Sequence, residues 1–281
     1  MSEPETVVLL HGFGGTHHAW DGVAALLPRE RYRPLALDLP GHGEQADAPR
    51  PITFAGCVAH VLARAGAPEH ASTHTHEHAS THDHASTHEH ASTHTRTQSA
   101  NTSFTLCGYS LGGRVALHVA LAAPERVRRL VLVSTAAGIE DPAERARRLE
   151  ADGALAAELE DGRYDEFIER WRTQPLFADE PPAVGALARA DQRRNRPDAL
   201  AAVLRGIGAG GMQPLWGRLH ELRMPVAVLV GERDAKYRAL GQRMARLLPR
   251  GELRMVPGGH GLPLENPAAV AATLRLPCPA S

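Results

Sequence analysis

Three side chains of this 281-residue sequence have the types and the order needed to turn an alcohol into a working base. Ser110 stands in Gly108-Tyr109-Ser110-Leu111-Gly112, Asp234 in Gly231-Glu232-Arg233-Asp234, and His260 in Pro257-Gly258-Gly259-His260-Gly261. A serine hydroxyl is inert near neutral pH unless an imidazole takes its proton and a carboxylate orients that imidazole. In a G-x-S-x-G segment between a strand and a helix, the glycines permit a sharp turn that lifts the hydroxyl clear of the sheet. The acid and the histidine then follow in that chain order. Taken singly, each residue is as well explained by a turn or a helix cap; their joint order makes a candidate triad. Glu232 is the rival acid, but Asp234 lies further into the loop beyond its strand. The backbone N–H of Leu111, at a helix N-terminus, and that of Phe13, in His11-Gly12-Phe13-Gly14-Gly15, are the candidate donors of an oxyanion hole. His11 and His42 read as structural partners of their own loops, and His17 and His18 as lining the entrance.

These residues need elements to position them, and the hydrophobic pattern supplies a regular alternation. Apolar strands are expected over residues 6–11, 32–39, 103–107, 127–134, 225–230 and, more weakly, 251–256. Helical spacing runs over residues 52–65 and 111–123, and again from about Pro267. Strands apolar on both faces and separated by helices predict a mostly parallel sheet covered on both sides, an α/β fold. Asp234 and His260 both fall just past strand ends, where such a sheet holds its ligands. The rhythm stops between about residues 138 and 217, where Ala, Arg and Glu dominate and prolines interrupt at Pro175, Pro181-Pro182 and Pro197. That stretch reads as a helical lid inserted between two core parts, residues 1–137 and 218–281, since it has too few large apolar residues to stand alone.

Composition excludes several function classes. With 31 basic and 32 acidic residues and a net charge of -1, the chain lacks the basic excess of a nucleic-acid surface. No apolar run is long enough to span a membrane, and the acidic, polar start Met1-Ser2-Glu3-Pro4-Glu5-Thr6 is unlike a secretory leader. Cys57, Cys107 and Cys278 form no disulfide framework, so a cytoplasmic protein is expected. Residues 70–102 are a low-complexity insertion. Within it, residues 70–94 repeat His-Ala-Ser-Thr-His four times and hold nine of the 17 histidines. Without apolar periodicity the tract is expected to be a disordered loop, with adventitious binding of divalent metal as its one chemical option. No cofactor and no resident metal are expected. Only one of the basic residues is a lysine, Lys236.

The His11 loop, residues 38–43, the serine turn, Asp234 and His260 together resemble the α/β-hydrolase superfamily over nearly the whole chain outside the histidine tract. Three segments narrow the resemblance. Gly108-Tyr109-Ser110-Leu111-Gly112-Gly113-Arg114, Trp171-Arg172-Thr173-Gln174-Pro175-Leu176-Phe177-Ala178 and Gly231-Glu232-Arg233-Asp234-Ala235-Lys236-Tyr237 are similar to the 2-succinyl-6-hydroxy-2,4-cyclohexadiene-1-carboxylate synthases of menaquinone biosynthesis. The resemblance implies a lyase whose triad abstracts a ring proton and expels pyruvate by 2,5-elimination. It implies a small substrate bearing several carboxylates, bound by Tyr109, Arg114, Arg148, Trp171, Arg193 and Lys236, with Arg194 adjacent to Arg193 as an alternative register. The antiparallel strands that usually open this fold are expected to be shortened or missing, because the chain begins almost directly at the strand before His11. Two other readings stay open: a serine hydrolase of esters or carbon–carbon bonds with the same triad, and a metal-binding protein whose function is the histidine tract.

Overall fold

A computed structural model describes residues 3–66 and 103–276. The histidine tract, and with it the expectation of a disordered loop that takes metal adventitiously, lies outside the described residues. The chain lays down β1 (Glu5–Leu10), α1 (Asp21–Ala25), β2 (Tyr32–Leu37), α2 (Phe54–Ala65), β3 (Phe104–Tyr109), α3 (Leu111–Ala122) and β4 (Val127–Val133). Four helices follow: α4 (Pro142–Glu160), α5 (Tyr164–Arg172), α6 (Pro182–Gln192) and α7 (Pro197–Ile207). The alternation then resumes with β5 (Val226–Gly231), α8 (Ala235–Leu247), β6 (Gly251–Val256), α9 (Leu262–Glu265) and α10 (Pro267–Arg275).

Among the described residues the strands form one six-stranded sheet, ordered β2-β1-β3-β4-β5-β6 and parallel at every pairing. Among the described residues no antiparallel strand precedes β1. Alternation of period two, apolar on both faces, gives it two cores. Val8, Leu10, Leu106, Leu130, Leu132, Val226 and Val228 face one side with residues of α2, α3 and α8. Val7, Leu9, Cys107, Val131, Val133, Ala227 and Leu229 face the other with residues of α1 and α10. The chain leaves β1 for β2 on one flank and returns to place β3 on the other. The carboxyl ends of β1 and β3 are therefore neighbours at the point where strand order reverses, the crevice where open α/β sheets bind ligands. The His11 loop and the Ser110 turn both begin there.

The helices α4 to α7 connect β4 to β5 and have their own small core of Ala156, Leu159, Phe167, Leu200, Ala201 and Leu204, against which Phe13 and Trp171 pack. Two strand ends differ from the sequence reading by two residues. β2 stops at Leu37, because beyond it the Leu39 N–H bonds His11 Nε2 and the Gly43 N–H bonds Asn195 Oδ1 instead of a neighbouring strand. β3 runs on to Tyr109, since Tyr109 still pairs with Val133 before the chain bends at Ser110. α2 ends at Ala65 and β3 begins at Phe104, its amino end lying at the end of the sheet opposite Ser110.

Candidate active site

Ser110 sits at the junction of β3 and α3 with φ 51° and ψ -109°, a backbone conformation that non-glycine residues rarely adopt. The turn is possible because its flanks carry no side chains: a Cβ on Gly112 would lie 2.2 Å from the carbonyl oxygen of Leu10, and one on Gly108 2.3 Å from that of Gly112. The strain is held from outside. Ser110 N–H donates to the Val133 carbonyl (2.9 Å), and Thr135 Oγ1 donates to the Ser110 carbonyl (2.7 Å).

The loop after β5 brings Asp234 to the same rim, and the loop after β6 brings His260. His260 Nε2 lies 3.2 Å from Ser110 Oγ, and His260 Nδ1 lies 2.7 Å from Asp234 Oδ2. Asp234 Oδ1 also accepts from the Tyr237 N–H at 3.2 Å, which fixes the carboxylate at the start of α8. The imidazole is buried among the rings of Tyr237, Tyr109 and Phe177, at centroid distances of 4.6, 5.3 and 5.9 Å. Burial holds the His260 pKa below its ordinary 6.5, while the Asp234 carboxylate pulls it partly back. The result is a neutral imidazole near pH 7 with its acceptor nitrogen on the serine. Glu232, the rival acid, is exposed to solvent.

Two backbone amides complete this corner. Leu111 opens α3, so its N–H has no partner within the helix. Phe13 lies in the loop after β1, where His11 fixes the neighbouring peptide. His11 Nε2 accepts from the Leu39 N–H (3.0 Å), so the proton of the neutral ring resides on Nδ1, which donates to the Gly12 carbonyl (2.8 Å). Gly15 N–H donates to the same carbonyl at 3.1 Å. A trans peptide points its C=O and the following N–H in opposite directions, so anchoring Gly12 O sets the aim of Phe13 N–H. Neither the Phe13 nor the Leu111 amide has a hydrogen-bond acceptor among the described residues. Burial lowers the pKa of His11 and, further, that of His42, whose ring stands edge-on to His11 at 4.7 Å.

Two chambers meet at Ser110. The larger, of about 800 Å³, is lined by Leu111, Arg114, Arg148, Trp171 and Lys236 among others. The smaller, of about 80 Å³, lies on the His260 side and includes Tyr109 and Arg172. Arg114 donates through Nη1 to the Ile207 carbonyl (3.1 Å), and burial pushes its guanidinium down to about 10, with the cation Arg148 nearby acting in the same direction. Arg148 is held by its Nε to the buried Asp152 (2.7 Å). Trp171 packs on Phe13 at a centroid distance of 5.0 Å. The wall of the larger chamber thus holds Arg114, Arg148, Arg233, Arg243 and Lys236 against Glu140, Asp141, Glu144 and Asp234, with Trp171 as an aromatic face. Arg114 and Arg148, which line it together with Ser110 and Leu111, are the cations that suit carboxylates.

Not every residue expected at the site lies at the larger chamber. Arg193 lines neither chamber: its exposed side chain pairs with Asp165 (2.8 Å) and Glu169 (3.6 Å) on α5, because it caps α6 on the solvent side. Arg194 is likewise exposed, near Asp191 at 3.8 Å. Tyr109 walls the smaller chamber rather than the larger, its ring lying over Gly12 and beside His260. His17 and His18 line no chamber among those described; they bond Asp38 and Asp21 instead. The structure adds residues the sequence reading passed over. Phe177 and Tyr237 lie inside two of the three family-like segments, and their rings pack on His260, a contact that no local signal in the sequence marks. Glu265, which accepts from the Gly259 N–H (2.6 Å) and pairs with Arg233, ties the histidine loop to the acid loop; only its position five residues after His260 hinted at it.

Comparison with known proteins agrees with this architecture. Residues 7–273 match the profile of the alpha/beta hydrolase family. The 2-succinyl-6-hydroxy-2,4-cyclohexadiene-1-carboxylate synthase of Klebsiella pneumoniae subsp. pneumoniae is 30% identical over 274 residues, covering 95% of this chain and 91% of that protein. The protein of the same name from Enterobacter sp. is 30% identical over 275 residues, with 95% and 89% covered. Among solved structures, MenH from S. aureus superposes with a TM-score of 0.81 at 26% identity, covering 98% of this chain and 93% of its own. An enol-lactonase from Burkholderia xenovorans shares the fold with a TM-score of 0.72 at 19% identity. The chain belongs to the alpha/beta hydrolase family and, within it, to the family of the 2-succinyl-6-hydroxy-2,4-cyclohexadiene-1-carboxylate synthases.

Proposed function

We propose that this chain is a carbon–oxygen lyase of menaquinone biosynthesis acting in the cytoplasm. It converts 2-succinyl-5-enolpyruvyl-6-hydroxy-3-cyclohexene-1-carboxylate to 2-succinyl-6-hydroxy-2,4-cyclohexadiene-1-carboxylate and pyruvate. The observation that carries this reading is a complete Ser110–His260–Asp234 relay opening into a chamber with Arg114, Arg148 and Lys236 in its wall. Neutral His260 takes the Ser110 proton as the serine oxygen takes the ring proton. The freed electron pair is delocalised onto the ketone oxygen of the 2-succinyl group. Its return through C2 and the ring double bond breaks the allylic C5–O bond, and the departing pyruvate enolate takes up the proton held by the relay. The Phe13 and Leu111 amides stabilise the charge that builds up on that ketone oxygen, and Asp234 stabilises the imidazolium that forms in between. Residues 138–217 act as the lid of the site, between core parts 1–137 and 218–281. Trp171 packs against the ring of the substrate, and Arg114 and Arg148 bind its carboxylates.

The test is pyruvate release by purified protein, with Ser110→Ala expected to lower kcat about 10³-fold or more. The same relay and amides suit acyl transfer, which keeps a serine hydrolase as the second reading. A burst of acyl-enzyme from an activated ester, with no pyruvate from the cyclohexene substrate, would favour it. Deleting residues 70–94 separates both from a metal-binding role: catalysis is expected to survive unchanged.

A further inference from the structure

The loop that presents Phe13 is gripped from the lid as well as from the core. Asp191, in the last turn of α6, and Asn195, in the turn before α7, are buried polar residues of the lid. Asp191 accepts from the Thr16 N–H at Oδ2 (2.8 Å) and from the Thr16 hydroxyl at Oδ1 (2.5 Å). Asn195 Nδ2 donates to the Gly14 carbonyl (2.8 Å), while its Oδ1 accepts from the Gly43 N–H (2.9 Å). Between these bonds lies a glycine turn with little of its own to hold it: Gly14 has φ +72° and the Gln192 amide above it. Phe13 is therefore flanked by two anchored peptides. Gly12 is fixed by core donors, and Gly14 and Thr16 are fixed by lid side chains.

We propose that Asp191 and Asn195 are positioning residues of the oxyanion hole, so that seating the lid on the loop of residues 12–16 aims the Phe13 N–H at the reacting oxygen. The inference rests on the reading of Phe13 as an oxyanion donor. Its physical basis is that four polar groups of the core, the buried Thr16 N–H and hydroxyl and Gly14 C=O and the half-buried Gly43 N–H, find their partners on the lid. Paired with the lid these groups hold the loop in this one shape; once the lid lifts, water satisfies them in many shapes and the constraint is lost. Arg148, at the wall of the larger chamber, belongs to the same lid. A carboxylate that draws Arg148 inward thus favours the lid position in which the amide is aimed, and binding is linked to assembly of the hole.

The experiment compares Asp191→Ala, Asn195→Ala and Asp191→Asn in the full chain, measuring kcat and KM for pyruvate release and for hydrolysis of p-nitrophenyl acetate. Both alanine variants are expected to lose kcat by about tenfold or more, below the roughly 10²- to 10³-fold for loss of a whole oxyanion donor, with KM changed by less than about threefold. Asp191→Asn keeps an acceptor for the Thr16 N–H and is expected to recover most of the loss. An unchanged kcat, or a rise in KM alone, overturns the proposal. Melting temperatures are recorded alongside. If an alanine variant does not fold, Thr16→Val, which deletes the hydroxyl bond to Asp191 together with the 3.3 Å cap on the His18 N–H, is expected to lower kcat about two- to fivefold, and an unchanged kcat overturns the proposal there too. Wild-type protein that cleaves the ester but releases no pyruvate would sink the lyase reading while leaving the positioning test intact on the ester.

Discussion

Arg114 separates a residue kept for binding from one kept for stability, because the two roles predict opposite signs. Its guanidinium lies one turn into α3, at the wall of the larger chamber, with one hydrogen bond to the protein, at the Ile207 carbonyl. Burial lowers its pKa from the ordinary 12.5 to about 10. That drop corresponds to about 3 kcal/mol set against the charged form in the folded protein. The charge is present at every pH below about 10, so this opposition is in force throughout the working range. The chamber side of the group reaches water, which reduces the opposition to roughly 1–2 kcal/mol. Replacing Arg114 by Met keeps the length and the packing, removes the buried charge, and leaves the Ile207 carbonyl unpaired at a cost of about 1 kcal/mol. The sum is a variant at least as stable as wild type, with a melting temperature unchanged or raised by a few degrees, given roughly 2–4 °C per kcal/mol for a chain of this size.

Function should move the other way. A charged hydrogen bond to a carboxylate is worth about 1.5–3 kcal/mol, so kcat/KM for pyruvate release should fall roughly 10- to 150-fold. Thermal unfolding followed by circular dichroism and steady-state kinetics on the same sample read both quantities. A melting temperature several degrees below wild type with kcat/KM within twofold would make Arg114 a structural residue and remove the main anchor from the proposed anionic substrate.

Other outcomes follow from the same geometry. Because burial holds His260 below pH 6.5 and the base must be neutral, the acid limb of kcat/KM should have its midpoint below 6.5. Asp234→Asn removes the group that raises that pKa, so the midpoint should move lower still and the plateau should fall by about 10²- to 10⁴-fold, as measured in a pH–rate profile. Buried neutral His11 and His42 add to the cost of acid. Each has a lowered folded pKa and takes up its proton on unfolding, so stability should decline as pH drops below about 6.5 in urea titrations. Gly112→Ala drives a Cβ to within 2.2 Å of the Leu10 backbone oxygen, an atom that cannot swing away. It should destabilise the fold by at least about 2 kcal/mol by urea midpoint and displace Ser110. Arg193→Ala removes only exposed ion pairs to α5 and should leave kcat/KM within about twofold and the melting temperature unchanged.

What was legible in the sequence divides along a physical line. The sheet could be read because each strand carries its own signal: β-branched and aliphatic residues on both faces, as in Val127–Val133. The Ser110 turn could be read because Gly108 is demanded by a backbone approach only a few residues away, at Gly112 and Gly113, whereas the demand on Gly112 comes from the distant Leu10. Asp234 and His260 came from the rule that strand ends share one rim, which needs no side-chain detail. The lid obeys no such rule. Whether a helix arginine points into a chamber or out to solvent depends on how four helices with a weak core of their own settle on the sheet. Arg148 and Arg193 look alike in sequence, yet Asp152 holds the first at the chamber and Asp165 holds the second outside it.

The same reasoning explains why the grip on the Phe13 loop left no trace in the sequence. Asp191 and Thr16 are separated by 175 residues, and Asn195 and Gly14 by 181. A polar residue near the end of a surface helix reads as solvated or as a cap, and nothing local distinguishes Asp191 from the exposed acids of α4 and α5. Its burial is created by the core loop it meets, and that loop is in turn left short of partners by its own glycines. Each side supplies what the other lacks, so the polar contact specifies one seating of the lid where apolar packing alone would tolerate several. On the proposed lyase reading, a lid held on with hydrogen bonds, which water can replace group by group, suits a site that admits substrate and then covers a charged intermediate better than a large apolar seam would.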